Sequence, residues 1–455
     1  MKLPLRHLVV PAFLFVCLLL GGSPQGIWRH LILQLGGLAL IGWALLALRR
    51  SHLTSAGRLL LWLCGLWFAL VLVQLIPLPP ALWSGLPGRA VAVEGFTLRG
   101  EALPWLPLSL APAATLSTLP LLAVPLGLIV AVVVLGAYRS RWSVVALVVG
   151  ACLSVLLGAV QLSQGGPYLF ANTNIGAATG LFANSNHQAT LLLATLPFLA
   201  AMIGYQQQDG RSRQPAAVGR IVSALGAVTV IVLGIILNGS MAGLALLLPV
   251  ALASLALALP GQGKLPRLLA GLALVLLLGA VVGIVIFTQA GSNVSSAAER
   301  SEIYRITLRA IADTFPAGTG LGSFQAYYRL YEDPALVNSF FINHAHSDPL
   351  EWVLETGLLG VLLLGALLLW WARQAIKLWR AERPDFVALA ATVASGAILA
   401  HSLVDYPLRD AAIQAVFALS LAFMAEPRSH SAERGSRSRG GQRSPRHLTL
   451  DDVSG

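Results

Sequence analysis

A chain of 455 residues that is 56% hydrophobic and only 11% charged, with mean hydropathy +0.77, is too apolar for a water-soluble domain of this length. Its formal net charge of +11 does not imply nucleic acid, because much of the excess lies in short loops between apolar runs and in the tail 427–446. Cys17, Cys64 and Cys152 all fall within apolar runs, where they are packing residues rather than a disulfide framework.

In chain order, apolar runs of about 20 residues, the length that crosses a bilayer as a helix, cover 7–22, 27–48, 59–76, 117–137, 142–162, 187–204, 221–237, 243–259, 268–290, 350–372, 386–404 and 411–425. The expected fold is an all-α membrane protein of about twelve transmembrane helices, with a large, partly helical loop between the ninth and tenth. The first run is short and signal-like, but no clear small-residue cleavage site follows it and further spans do. Lys2/Arg6, Arg49/Arg50/Arg58, Arg139/Arg141, Arg211/Arg213/Arg220, Lys264/Arg267 and Arg373/Lys377/Arg380/Arg383 all fall on one side if every run spans. By the positive-inside rule that side is the cytoplasm, which then holds both termini. The loops 77–116, 163–186, 291–349 and 405–410 face the opposite side, the periplasm. The tail 426–455 is basic, rich in Ser, Arg and Gly, and expected to be disordered beside anionic lipid headgroups.

Gly180-Leu181-Phe182-Ala183-Asn184-Ser185-Asn186-His187 leads into the sixth run. Asn and Ser cap helices there. The polar crowding exceeds what capping needs, and donors converging on a helix start also form an anion or sugar site. Asn184, Asn186 and His187 are therefore candidate substrate-binding residues.

The loop 291–349, at about sixty residues, is too long for a connector. Ser296-Ala297-Ala298-Glu299 has the spacing of a capping box, and the helical pattern that follows runs to about Thr314, stopped by Pro316 and Gly318. At about 100° per residue, Arg300, Tyr304, Leu308 and Ile311 share one face. Glu302, Arg305 and Arg309 share the opposite one, most simply a solvated face. An arginine on the apolar face needs a carboxylate, a phosphate or a headgroup, and its planar fork suits phosphate oxygens. Arg300 is thus either a phosphate clamp or a structural partner of Glu351 or Glu355. Gly318-Thr319-Gly320-Leu321-Gly322-Ser323-Phe324 lacks a preceding strand and a following Gly-Lys-Ser/Thr, so tight turning explains these glycines better than a phosphate loop.

The stretch from Asn343 to Gly357 concentrates two imidazoles and three carboxylates at the entry to the tenth run. Asp348 is the expected N-cap, Pro349 the first helical residue and Glu351 the third. His346 then stands just outside a positive helix end, beside a place for an anionic ligand, and is the candidate general base. His344 is expected to point elsewhere, because alternate side chains of an extended His-x-His splay apart. His344-x-His346-x-Asp348 resembles part of a metal cluster, but Pro349 occupies the place of the next ligand and no metal site is expected. At the outer end of the eleventh run, His401 and Asp405 are spaced i, i+4; they either satisfy each other or serve a function.

Four motifs in order resemble the O-antigen ligase and O-antigen polymerase superfamily of bacterial membrane glycosyltransferases. They are Gly180-x-Phe182-x-Asn184-x-Asn186-His187, Arg300-x-x-x-Tyr304, Gly318-x-Gly320-x-Gly322-x-Phe324, and His344-x-His346-Ser347-x-x-Leu350 followed by Glu355-x-Gly357. The likeness covers roughly 170–410, and 401–407 also resembles the tail of some members. It implies a catalytic region over 163–425 behind five N-terminal spans in 1–162, with the large periplasmic loop over an outward cavity. It implies transfer of a glycan from an undecaprenyl-diphosphate carrier to an acceptor hydroxyl, without metal, nucleotide or other cofactor. The implied partners are that lipid-linked donor, a glycan or lipid A core acceptor, and membrane lipids. By motif position His346 is the base and Arg300 the diphosphate clamp. His344, Tyr304, Glu355, His401 and Asp405 join Asn184, Asn186 and His187 as substrate-site residues. One departure stands out: many members carry a Ser-Arg pair after the short outward turn, where this chain reads Ser240-Met241. The compact His-x-His-Ser and Glu-x-Gly motifs favour a ligase. A polymerase or a protein O-oligosaccharyltransferase of the same superfamily uses the same donor, and a transporter of lipid-linked sugar, the alternative of another class, calls for charges near midspan.

Overall fold

The computed structural model describes residues 5–47, 53–138, 140–208, 215–259, 264–289, 295–332, 334, 342–382 and 384–427. Helices α1 (Val9–Leu20), α2 (Ile27–Ala47) and α3 (Ser55–Gln74) open the chain. A two-residue antiparallel ladder follows, β1 (Pro77–Leu78) with β2 (Leu106–Pro107), enclosing α4 (Pro80–Trp83) and α5 (Ala90–Leu98). Next come α6 (Pro112–Leu121), α7 (Ala123–Val133), α8 (Ser140–Gln164), α9 (Ser185–Gln208), α10 (Pro215–Asn238), α11 (Met241–Ala258) and α12 (Lys264–Gln289). Helices α13 (Ser295–Thr314) and α14 (Phe324–Tyr328) precede α15 (Asp348–Trp379), α16 (Phe386–His401) and α17 (Ala411–Ala425).

Among the described residues eight helical stretches are long and apolar enough to cross a membrane: α2, α3, α6 with α7, α8, α9, α10, α11 and α15. By length and composition this is a multi-pass membrane protein. Of the twelve expected spans this measure counts eight; α12, the ninth expected span, has 26 residues but many side chains outside the described residues. Helices α1, α16 and α17 have 12, 16 and 15 residues, short of the ~20 a crossing takes. Each stops early for a local reason. Gly21 ends α1 against the start of α17, where a Cβ would lie 2.7 Å from Ala412 N, and Gly21 O accepts from that same N–H at 2.9 Å. The turn joining α16 to α17 is itself packed into the protein, with Val404, Asp405, Tyr406 and Asp410 all buried.

Helix α9 is the central element: 89% of its apolar window is buried, against 22% for α2. It lies beside α16, whose Ala388, Ala391, Ala394 and Ala397 are buried. Small side chains let helices approach closely where no water is available to drive packing. On α2 and α3 the large apolar residues Trp28, Ile32, Trp62 and Leu66 remain exposed, as a lipid-facing perimeter requires.

The polar segments gather at one end. Ser109 N donates to Gln74 O (2.8 Å), Leu110 N to Thr319 O (2.8 Å) and Thr115 Oγ1 to Leu321 O (2.8 Å), so the loop 77–116 is sewn to the glycine loop. Gly318, Gly320 and Gly322 have φ of +76°, +101° and +76°, the conformations glycine adopts without Cβ strain. Helix α13 ends at Thr314 as its stop signals predict. Its buried face is turned from the expected one: Ile303, Tyr304, Thr307, Ala310 and Thr314 are buried, whereas Leu308 is 50% exposed. That face packs on Phe324, Tyr327, Tyr328 and Leu354, and this partner sets the rotation. The Glu302–Arg305 pair (2.8 Å) lies on the exposed side. The capping-box side chains of Ser296 and Glu299 and the tail 428–455 lie outside the described residues.

Candidate functional site

The site is built where α15 begins. Ser347, not Asp348, is the N-cap, and Asp348 is the first helical residue. The one-residue shift has a cause. Asp348 N donates to Ser402 O (2.9 Å) and Asp405 O (3.1 Å), while its carboxylate accepts from Ser402 Oγ (2.9 Å) and Leu408 N (3.1 Å). The carboxylate is thus spent on the turn 402–410 and not on its own helix.

Asp348, Glu351 and Glu355 follow one another at i, i+3 and i+7, on one stripe of α15. Arg409 lies across that stripe: Nε is 3.5 Å from Asp348 Oδ1, and Nη2 is 3.2 Å from Glu351 Oε1 and 3.4 Å from Glu355 Oε2. Burial works against the Arg409 cation, but the three carboxylates outweigh it and push its pKa above the usual arginine value. Of the two readings open for Arg300, the structural one paired it with Glu351 or Glu355. Arg409 takes that place, and Arg300 has no ion pair among the described residues. Glu355 is fully buried and also accepts from Phe324 N (3.3 Å).

Glu351 reaches in the other direction too, accepting from His344 Nδ1 (2.9 Å) and from Ala345 N (2.9 Å). This fixes the His-x-His segment. His346 follows with φ +52°, the one non-glycine residue at positive φ among those described. Such backbone is strained and persists only where the surroundings over-determine it. Here Tyr304 Oη donates to His346 O (2.8 Å). Burial raises the Tyr304 pKa to about 12, so its phenol stays a donor. The left-handed turn also corrects the splayed arrangement expected of the two imidazoles. His344 and His346 both return to the Tyr406 ring, with centroids 4.4 and 5.0 Å away, and His187 meets the same ring at 4.9 Å.

Behind His346 stands Asp405. Its Oδ1 is 3.5 Å from His346 Nδ1 and 3.9 Å from His187 Nε2. His187 Nδ1 in turn lies 2.7 Å from Asp410 Oδ2. Burial raises the Asp405 pKa, but His346, His187 and Arg300 outweigh it and hold the carboxyl well below the ordinary range. The side chains of Asp405, Asp410 and His187 are almost fully buried, whereas His346 is 25% and His344 18% exposed. Access from outside is therefore to the His-x-His imidazoles.

Of the remaining candidates, His401 does not pair with Asp405: its Nδ1 is 2.8 Å from Thr190 Oγ1. Asn184 Oδ1 accepts from Asn186 N (2.9 Å), the capping geometry, and its Nδ2 is 3.5 Å from His187 Nε2. Asn186 Oδ1 accepts from Ser240 Oγ (2.7 Å), the residue that caps α11, and Met241 beside it is exposed. Arg300 is half-buried on α13, near enough for its charge to act on Tyr304 and Asp405. The structure thus draws Arg300, Tyr304, His344, His346, His187, Asn184 and Asp405 toward one place, with Asn186, His401 and Glu355 in the layer behind. Sequence reasoning missed Tyr406, Arg409 and Asp410. The signal was present, since three charged residues and a tyrosine lie between two apolar runs in Asp405-Tyr406-Pro407-Leu408-Arg409-Asp410.

Among the described residues no group of three or more His, Cys, Asp or Glu is placed to hold a metal ion. The class defined by fold and site is a membrane protein with a histidine and carboxylate centre at one end of its bundle. Residues 225–365 match the family model described as O-antigen ligase, so that segment of the chain is similar to the O-antigen ligase superfamily. The match includes Arg300, Tyr304, the glycine loop and the His-x-His segment, and it ends before the turn 402–410. No curated protein matches the chain significantly.

Proposed function

We propose that the protein is a glycosyltransferase that moves a glycan from undecaprenyl diphosphate to an acceptor hydroxyl on the periplasmic face of a bacterial inner membrane. The observation that carries this reading is His346, a partly exposed imidazole on strained backbone, backed by a buried carboxylate at 3.5 Å. In that arrangement Asp405 faces Nδ1 and leaves Nε2 to take the proton of the acceptor hydroxyl. The hydroxyl oxygen bonds to the anomeric carbon as the bond from that carbon to the diphosphate oxygen breaks. Arg300 meets the negative charge that develops on the leaving diphosphate, where a fork of N–H donors is worth most. The compact His-x-His-Ser and Glu-x-Gly motifs favour the ligase reading, with lipid A core as acceptor. A growing glycan or a protein hydroxyl defines the polymerase and protein-glycosylating alternatives. A transporter is disfavoured because the ionisable groups cluster at helix ends and not at midspan.

The test is transfer by purified protein in detergent, given undecaprenyl-diphosphate-linked oligosaccharide with lipid A core, free glycan or peptide in separate reactions. One acceptor should gain the mass of the glycan. His346→Ala should lower turnover about a hundredfold while donor binding persists, because general-base catalysis acts in the transition state. Arg300→Lys should lose about tenfold, since it keeps charge without the fork. EDTA should change nothing. Full activity of His346→Ala, or loss on chelation that zinc restores, overturns the base assignment.

A further inference from the structure

Two buried groups behind His346 have no role in the transfer step itself: His187 and Asp410. They are contiguous. From the accessible side inward runs a line of alternating imidazoles and carboxylates: His346 Nδ1 to Asp405 Oδ1 (3.5 Å), Asp405 Oδ1 to His187 Nε2 (3.9 Å), and His187 Nδ1 to Asp410 Oδ2 (2.7 Å). The innermost contact is the shortest. The His187 ring also meets Tyr406 edge-on, with centroids 4.9 Å apart.

Asp405 is far less well held. Its Oδ1 accepts from Tyr406 N at 3.0 Å, and Oδ2 is buried with no hydrogen-bond partner among the described residues. A buried carboxylate with so few donors is costly unless neighbouring groups fix it. His187, with Nε2 3.9 Å from Oδ1, is the buried side chain placed to do so. Its side chain is 2% exposed, too enclosed to touch a glycan or a diphosphate in this arrangement.

We propose that the Asp410–His187 pair is a positioning unit for Asp405, keeping its Oδ1 within 3.5 Å of His346 Nδ1, a buried atom with no hydrogen-bond partner among the described residues. Asp410 fixes the His187 ring, His187 fixes Asp405, and Asp405 orients the base. His187 then leaves the substrate-binding set, and Asp410, unassigned by any motif, enters the machinery. This rests on the reading of His346 as the base.

The experiment is a double-mutant cycle on the transfer reaction, using full-length protein in detergent with undecaprenyl-diphosphate-linked oligosaccharide and whichever acceptor gains the glycan. A unit that acts only through Asp405 predicts that His187→Ala lowers kcat about tenfold, leaves KM for the donor within about twofold, and costs nothing further when Asp405→Asn is already present. Asp410→Asn, which keeps the size of the side chain, should repeat the pattern more mildly. A raised donor KM in His187→Ala, or a loss that multiplies with that of Asp405→Asn, overturns the proposal and returns His187 to substrate binding or to a general structural role. If His187→Ala does not yield folded protein, the same cycle run with Asp410→Asn separates these outcomes in the same way. Failure of the underlying reading looks different: His346→Ala and Asp405→Asn would then keep full activity by themselves.

Discussion

Arg409 and Asp405 show how single residues hold this site together. Arg409, 23% exposed, is the only arginine or lysine within ion-pair distance of Asp348, Glu351 and Glu355 among the described residues. Removing one partner of a buried ion pair strands the others, typically at about 3–5 kcal/mol. Arg409→Met should therefore lower the thermal midpoint in detergent markedly. Arg409→Lys should recover only part of it, because an ammonium cannot span three carboxylates as a planar fork does. An unchanged midpoint in Arg409→Met would show the cluster to be dispensable. Asp405 gives a prediction with a sign. Its folded pKa is depressed, so the stability it contributes as an anion is fully present above its unfolded value of about 3.9 and is lost as pH falls through the folded one. The stability deficit of Asp405→Asn should hence shrink as pH falls below roughly 4. A deficit that grows as the solution is acidified contradicts this.

At the scale of elements, the break in α15 explains why the glycine loop is where it is. Gly357 has φ +58° and ψ −148° inside the helix. The break turns Leu358 N to Pro316 O (3.0 Å) and leaves Leu354 O for Thr319 N (2.9 Å), while Glu355 O accepts from Gly320 N (2.8 Å) and Gln74 Nε2 (2.9 Å). A Cβ on Gly357 would stand 2.1 Å from Pro316 O, and one on Gly318 2.7 Å from Gly357 N. Gly357→Ala should destabilise the protein by at least about 1–3 kcal/mol from backbone strain alone. It should also reduce transfer, because the same helix start carries Glu351 and through it His344; near-normal unfolding and activity would refute that coupling. The local parts of this arrangement were legible in the sequence: the end of α13 at Thr314, the turning role of the glycines, and the helix start after His346 to within one residue. What was not legible depended on partners distant in the chain. Arg409 lies 58 positions from Glu351, and no local pattern pairs them. The rotation of α13 followed from Phe324 and Leu354, and the convergence of His344 and His346 on Tyr406 followed from a positive φ that no histidine advertises.

At the scale of the whole molecule, orientation in the membrane turns on the parity of crossings. Helices α16 and α17 matter less than their shortness suggests, because a pair of helices joined by one turn returns the chain to the side it left whether the pair crosses fully or dips. Parity elsewhere rests on α1, with 12 residues, and on α12, with 26. Helix α12 joins the end of α11 to α13, and α13 belongs to the same polar end as the loop 77–116 through the contacts of the glycine loop. The basic residues Arg141, Arg220, Arg373 and Lys377 sit toward the opposite ends of α8, α10 and α15 from the histidine centre, and such residues are retained on the cytoplasmic side. A full crossing by α12 is therefore required for Ser323 to lie outside while Arg211 lies inside. A reporter active only outside the cytoplasm should be active when fused after Ser323 and silent when fused after Arg211. Activity at both points would make α10 to α12 an odd number of crossings short, and the reverse pattern would turn the whole bundle over.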